Sequence, residues 1–201
     1  MTNNPSGGCS RRYLLAGAGG AALALAGVLA PFERLADAQA PSPEQDEQIL
    51  NFMLALEYLQ SAFYAAAQSQ GVLEGELAEF TRVVGEHERR HVERLRELLG
   101  DAAGPEPQFD LEDVTSNEDS FLETAVVLED TGASAYIGQG SNLTDDGVAS
   151  VAPMVSVEAR HAAWILDIAG RDPAPASADP AASVAGVHSA LERVGLALPG
   201  R

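Results

Sequence analysis

Two short stretches carry a carboxylate and an imidazole three residues apart: Glu88-Arg89-Arg90-His91 and Glu158-Ala159-Arg160-His161. On a helix, positions i and i+3 share one face, one turn apart, so each pair can bind one metal ion. The two pairs are offset by 70 residues. Leu56-Glu57 with Tyr64 matches Leu128-Glu129 with Tyr136 at an offset of 72. Each half of the chain therefore supplies one lone Glu and one Glu-x-x-His, as a duplicated helical hairpin would. Four carboxylates and two imidazoles at one level suit a carboxylate-bridged dinuclear site formed by Glu57, Glu88, His91, Glu129, Glu158 and His161. Oxygen-rich ligation with two imidazoles favours two iron or manganese ions, a diiron or dimanganese centre. Zinc commonly takes sulfur, and Cys9 is the single cysteine. A buried cluster of ion pairs without metal is the plainer alternative.

Four helices must position these residues. Ser42-Pro43-Glu44-Gln45 opens the first with an N-cap Ser and a Pro at the first helical position. Its apolar stripe runs through Ile49, Met53, Leu56, Phe63 and Ala67, and Gly71 stops it. The second runs from about Glu74 to Leu99. Its inward stripe, Leu77-Phe80-Val84-Glu88-His91-Leu95-Leu98, places Glu88 and His91 at core positions. The other acids of that helix fall on outer faces, within reach of Arg82, Arg89 and Arg90. A connection containing Gly104, Pro105, Pro107 and Asn117 leads to a third helix, from Ser116–Glu118 to about Gly140. The fourth spans about Thr144 to Ala169, with Pro153 predicted to bend it or delay its start. The midpoint between Glu57 and Glu88 falls in the Gly71–Leu73 turn, and that between Glu129 and Glu158 at Leu143–Thr144. Within each antiparallel hairpin the lone Glu and the Glu-x-x-His thus lie at one level. No segment alternates as a strand would, so the predicted class is all-α.

Other residues carry weaker signals. Tyr64 and Tyr136 each follow a lone Glu by seven residues, on the same face; they either pack or donate to the ligands, and packing is the simpler reading. His87 is rotated about 100° from Glu88 and is expected at the surface. His188 and Trp164 read as structural. Gly132 and Gly140 either allow close helix approach or open a small-molecule route.

The chain has 201 residues, with 30 acidic and 12 basic side chains and a formal charge of −18. All the basic residues are Arg. That balance excludes a sequence-independent nucleic-acid binder, which needs basic groups against phosphate. It also excludes docking on anionic lipid through a polybasic patch. A hydrophobic content of 46% with 21% charged residues reads as globular.

Residues 1–38 read as an address. Ser10-Arg11-Arg12-Tyr13-Leu14-Leu15 precedes an apolar run to Ala30, and Ala36-Asp37-Ala38 is a small-x-small cleavage pattern. The arrangement resembles a twin-arginine (Tat) export signal cut after Ala38. The alternative, an uncleaved anchor, is disfavoured because 17 residues at ~1.5 Å each fall short of the roughly 30 Å hydrocarbon core. The resemblance implies the Tat export machinery as a partner, export of a folded and loaded chain, and no stable membrane span after processing. Residues 42–171 are then the bundle. Residues 172–201 form a Pro/Ala-rich linker and a short C-terminal helix, near Ala182 to Leu196, packed on the outside.

The stretches Ile49 to Tyr64, Glu88 to His91, Val127 to Tyr136 and Glu158 to Ala163 resemble the ferritin-like superfamily. Within it, the similarity is to an exported ferritin-like domain family related to desiccation-associated proteins. The resemblance implies a four-helix bundle of two antiparallel hairpins joined by a long crossover. It implies the six residues above as the ligands of the dinuclear centre. It leaves three functional readings: redox chemistry on peroxide or dioxygen in stress protection, iron oxidation or sequestration, and a non-enzymatic stress protein stapled by metal. The expected partners are metal ions and small oxidants, and a homo-oligomer is compatible with all three.

Overall fold

The structure, a computed structural model, describes residues 40–198. The export-leader reading falls on residues 1–38, outside them. The described residues are all-helical: α1 (Pro43–Gln70), α2 (Gly75–Leu99), a short α3 (Glu112–Thr115), α4 (Glu118–Gly140), α5 (Asp145–Ile168) and α6 (Val184–Arg193). Side-chain caps start four of the helices. Ser42 accepts from the Gln45 amide, Asn117 from Ser120, Thr144 from Gly147 and Ser183 from Gly186. Each satisfies an N–H that the first helical turn leaves unpaired. Gly71, with φ 65°, closes α1 in the left-handed region.

α1 packs chiefly on α2, and α4 on α5, while α1–α4 and α2–α5 contacts join the two hairpins. Hydrogen bonds at the bundle ends fix the directions. Gln70, ending α1, reaches Thr115 just before α4 at 2.6 Å. Asp46, opening α1, accepts from the Thr144 amide at the start of α5 at 2.9 Å. α1 is therefore antiparallel to α4 and parallel to α5, the arrangement that a long crossover from α2 to α4 requires. The core between them buries Phe52, Phe63, Tyr64, Phe80, Phe121 and Tyr136, among others. Phe63 stacks on Phe121 at 4.9 Å, and Tyr64 meets Phe80 edge-on at 5.9 Å. Each such side chain contributes about 1.5–3 kcal/mol when fully buried.

Two expectations change and a third gains a physical basis. The crossover is not featureless: a 3₁₀ turn at Gly100–Ala102 and α3 interrupt it, because buried Leu111 and Thr115 anchor it to the bundle. Pro153 does not delay the helix that carries it, α5, which starts at Asp145. Pro153 and Ala149, whose carbonyl the proline leaves without its helical N–H, are both exposed, so water can serve that carbonyl. The C-terminal helix does pack on the outside, against α4, and its approach depends on Gly138. A Cβ at Gly138 would lie 1.9 Å from the Ala182 carbonyl oxygen, beside the Ala182 N–H···O=C Ser134 bond of 2.8 Å. A Gly138→Ala change is expected to detach residues 182–198 while sparing the bundle. Hydrogen exchange should show lost protection confined to α6.

On the outer face of α2, Arg82 pairs with Glu79, and Arg89 and Arg90 pair with Glu86. These exposed pairs follow the expected helical spacing and, open to solvent and screened by salt, add little to stability. Among the described residues no helix is long and apolar enough to cross a membrane.

Candidate metal centre

The structure brings all six predicted residues into one buried cluster at mid-bundle. Glu57, Glu88, Glu129 and Glu158 are fully buried, His161 is 3% exposed and His91 is 7% exposed. Glu57 comes from α1, Glu88 and His91 from α2, Glu129 from α4, and Glu158 and His161 from α5. They form two groups, each of which could hold a metal ion. One is Glu57, Glu88, His91 and Glu158; the other is Glu88, Glu129, Glu158 and His161. Within each group one donor atom per residue lies within 4.8 Å of all the others. Glu88 and Glu158 belong to both groups and so sit between the two positions. Glu57 with His91 flanks one side, and Glu129 with His161 the other.

The imidazoles face inward through Nδ1. His91 Nδ1 lies 2.9 Å from Glu158 Oε1, 3.1 Å from Glu88 Oε2 and 3.3 Å from Glu57 Oε2. His161 Nδ1 lies 2.9 Å from Glu88 Oε1 and 3.3 Å from Glu129 Oε2, without a hydrogen-bonding angle to either. Buried oxygens of all four glutamates also lack hydrogen-bond partners: Glu57 Oε2, Glu88 Oε1, Glu129 Oε2 and both of Glu158. Leaving so many buried acceptors unpaired is costly. Convergent, unpaired anionic oxygens with two imidazoles fit a pair of hard to borderline divalent cations.

The tyrosines do more than pack. Tyr136 donates to Glu57 Oε1 at 2.5 Å, and Tyr64 donates to Glu129 Oε1. Each outer carboxylate is thus held through one oxygen while its other oxygen faces the cluster. Burial first, then the neighbouring carboxylate charges, hold both phenols well above their ordinary value of 10.0, so they remain donors. The bonds are reciprocal between antiparallel α1 and α4: each helix gives a Glu and takes a Tyr.

His87 departs from its expected place. Half-buried rather than at the surface, its Nδ1 lies 2.8 Å from His161 Nε2, and the rings stack at 5.1 Å. The helical rotation was right, but α5 packs close enough for His161 to reach the side of α2. Burial and the nearby His161 charge push His87 down from 6.5. A neutral His87 can accept at Nδ1 from His161 Nε2–H. Gln60 was missed altogether. It is fully buried, and its Nε2 makes a long 3.4 Å bond to Glu129 Oε1. Its position three residues after Glu57, on the same face, was the available signal. Trp164 is partly buried and donates to Glu76 at 3.0 Å, consistent with structure. His188 is buried on α6.

The cluster's own electrostatics oppose it without cations. Burial, reinforced for Glu57 by Glu88 and for Glu158 by Glu57, pushes both carboxyls up from 4.5 to about 7. Burial alone would lower the imidazoles. The surrounding carboxylates override it, raising His91 far above 6.5 and His161 to about 10. All four folded values exceed the unfolded ones, so all four groups act in one direction. The carboxyl contribution to stability is complete below about 4.5 and is lost as pH rises through about 7. The His161 contribution is complete below about 6.5 and is lost as pH rises through about 10. The metal-free chain should therefore melt at lower temperature at about pH 8 than at about pH 5, as far as these groups decide it. Bound divalent cations replace the protons, so the melting difference between loaded and stripped chain should widen over that range. Paired thermal scans with and without chelator check this.

A family model for the ferritin-like domain matches residues 45–171, the stretch that carries all but the first two residues of the four long helices and all six cluster residues. No match was found among curated proteins. The fold, the position of the cluster and the extent of that match agree: the chain belongs to the ferritin-like domain family.

Proposed function

We propose that the cluster is a dinuclear iron or manganese centre and that the chain is an exported oxidoreductase acting on peroxide or dioxygen in stress protection. The observation that carries this reading is the sharing of Glu88 and Glu158 between two four-residue groups whose buried oxygens lack partners. In it, Glu57 and His91 would hold one ion, Glu129 and His161 the other, and Glu88 and Glu158, common to both groups, would serve both. A loaded pair of such ions supplies two-electron redox chemistry toward small oxidants. The protein's part is to hold and insulate. Tyr136 and Tyr64 orient the outer carboxylates and keep their own protons. His87 fixes the His161 ring. The surrounding apolar layer excludes bulk water, which favours small neutral oxidants over larger charged substrates. An apolar groove of about 350 Å³ between α4 and α5, lined by Tyr136, Leu143, Val151 and Val155, leads to the tyrosine that holds Glu57.

The test is peroxide consumption by chain purified from its own compartment, compared with Glu88→Ala. Loss of consumption in the variant is expected, and full retention contradicts the reading. Oxidation of added ferrous iron without peroxide consumption would move the function to iron handling. Export by the Tat route belongs to the same proposal. It is supported by the paired Arg11-Arg12 before an apolar run and by a fold that would enclose its metals before crossing. Intact mass of the exported chain is expected to begin at Gln39, and a retained residue 1 contradicts cleavage.

A further inference from the structure

The two halves of the cluster are related by the internal repeat, and most of it is symmetric. Tyr64 on Glu129 is matched by Tyr136 on Glu57. At two places the symmetry fails. The residue matching His87, 70 positions on, is Val157. The antiparallel register that sets His87 opposite His161 sets Val157 opposite His91, and valine has no polar atom to offer. Among the described residues, no hydrogen bond reaches His91 Nε2, whereas His161 Nε2 is held at 2.8 Å. The residue matching Gln60, 72 positions on, is Gly132. Gln60 reaches Glu129, while Gly132 has no side chain to reach Glu57. Both departures brace ligands of the same position: His87 holds His161, and Gln60 reaches Glu129.

From this, and resting on the dinuclear reading above, we infer that the two metal positions are unequal: the Glu129–His161 position is the tighter and fills first, with His87 as the positioning residue that makes it so. A metal-bound imidazole whose other ring nitrogen is held has its tautomer and orientation set before binding, which raises affinity. His91 has no such protein partner at Nε2 among the described residues. Glu88 and Glu158 belong to both groups, so neither marks one position over the other.

The experiment is titration of the full, chelator-stripped chain with Mn(II), followed by equilibrium dialysis and electron paramagnetic resonance. The wild-type chain is expected to bind in two steps at least about tenfold apart. Half-loaded protein should show an isolated, uncoupled Mn(II) signal, and full loading a coupled pair. His87→Ala is expected to weaken the tight step by about 10–100-fold and leave the weak step nearly unchanged. The coupled signal should then appear already at half loading. His87→Gln, whose side-chain oxygen can accept from His161, should restore most of the difference. If His87→Ala fails to fold, His87→Gln against His87→Leu makes the same comparison. Two equal steps in the wild type, or equal weakening of both steps in His87→Ala, would overturn the inequality and leave the dinuclear reading intact. A wild-type chain that binds no Mn(II) would overturn the dinuclear reading and the inequality with it.

Discussion

Replacing Glu158 with Gln is expected to remove both metal ions while making the metal-free protein more stable. Glu158 is fully buried, belongs to both four-residue groups and has both carboxylate oxygens without a hydrogen-bond partner. In the stripped chain it is pushed up to about 7 by burial and then by Glu57. A neutral amide of the same shape relieves that repulsion. The surroundings of Glu158, with His91 Nδ1 at 2.9 Å included, still disfavour the charged form on balance, so the neutral amide is expected to raise the melting temperature of the stripped chain above about pH 7, where the carboxylate is ionised. Loss of a carboxylate that belongs to both groups acts oppositely on metal. Glu57→Gln and Glu129→Gln, by contrast, each remove a ligand from one group only and should leave one ion bound. Calorimetry with metal content per chain checks both signs. A Glu158→Gln protein that loses stability when stripped and keeps its metal would contradict this arrangement.

Gly132→Ala is expected to empty the site without altering a ligand. A Cβ there would lie 2.5 Å from Glu158 Oε2 and 3.1 Å from Gln60 Nε2. Both side chains are fully buried, and Glu158 cannot give way without leaving the place it shares between the two groups. Overpacking of this kind costs about 1–3 kcal/mol, and the displaced carboxylate is the one shared by both metal positions. Gly140→Ala supplies the control on the same helix. Nothing lies within 4 Å of a Cβ at Gly140. There, alanine in place of glycine should stabilise the chain by about 0.4–1 kcal/mol and leave metal binding unchanged. Metal content should fall in Gly132→Ala and stay unchanged in Gly140→Ala, while the melting temperatures of the two variants move in opposite directions.

The contrast between these glycines marks what could be read from sequence. Both lie on α4. Only the packing of Gln60 and Glu158 against one of them separates their roles. The six clustered residues were legible because each is an ionisable group on an otherwise apolar stripe, a pattern unstable unless something compensates the charge. The level of the cluster was legible too, since an antiparallel hairpin fixes which residues face each other. The donors around it were not. Tyr64 and Tyr136 sit on the right stripe, but a tyrosine there packs equally well without reaching a carboxylate. His87 faces away from Glu88 on its own helix, and only the approach of α5 turns it toward His161. Gly138 touches the backbone of Ala182, more than forty residues away in sequence, and no local pattern encodes that contact. Single-helix periodicity therefore found the residues that must be compensated. It could not find those whose role depends on a second helix.

Metal analysis of the chain purified from its own compartment tests the central claim most directly. Two iron or manganese ions per chain are expected, falling to none in Glu158→Gln and to one in Glu57→Gln. A wild-type chain that carries no tightly held metal, or a Glu158→Gln chain that keeps both ions, would contradict a dinuclear centre built on shared Glu88 and Glu158.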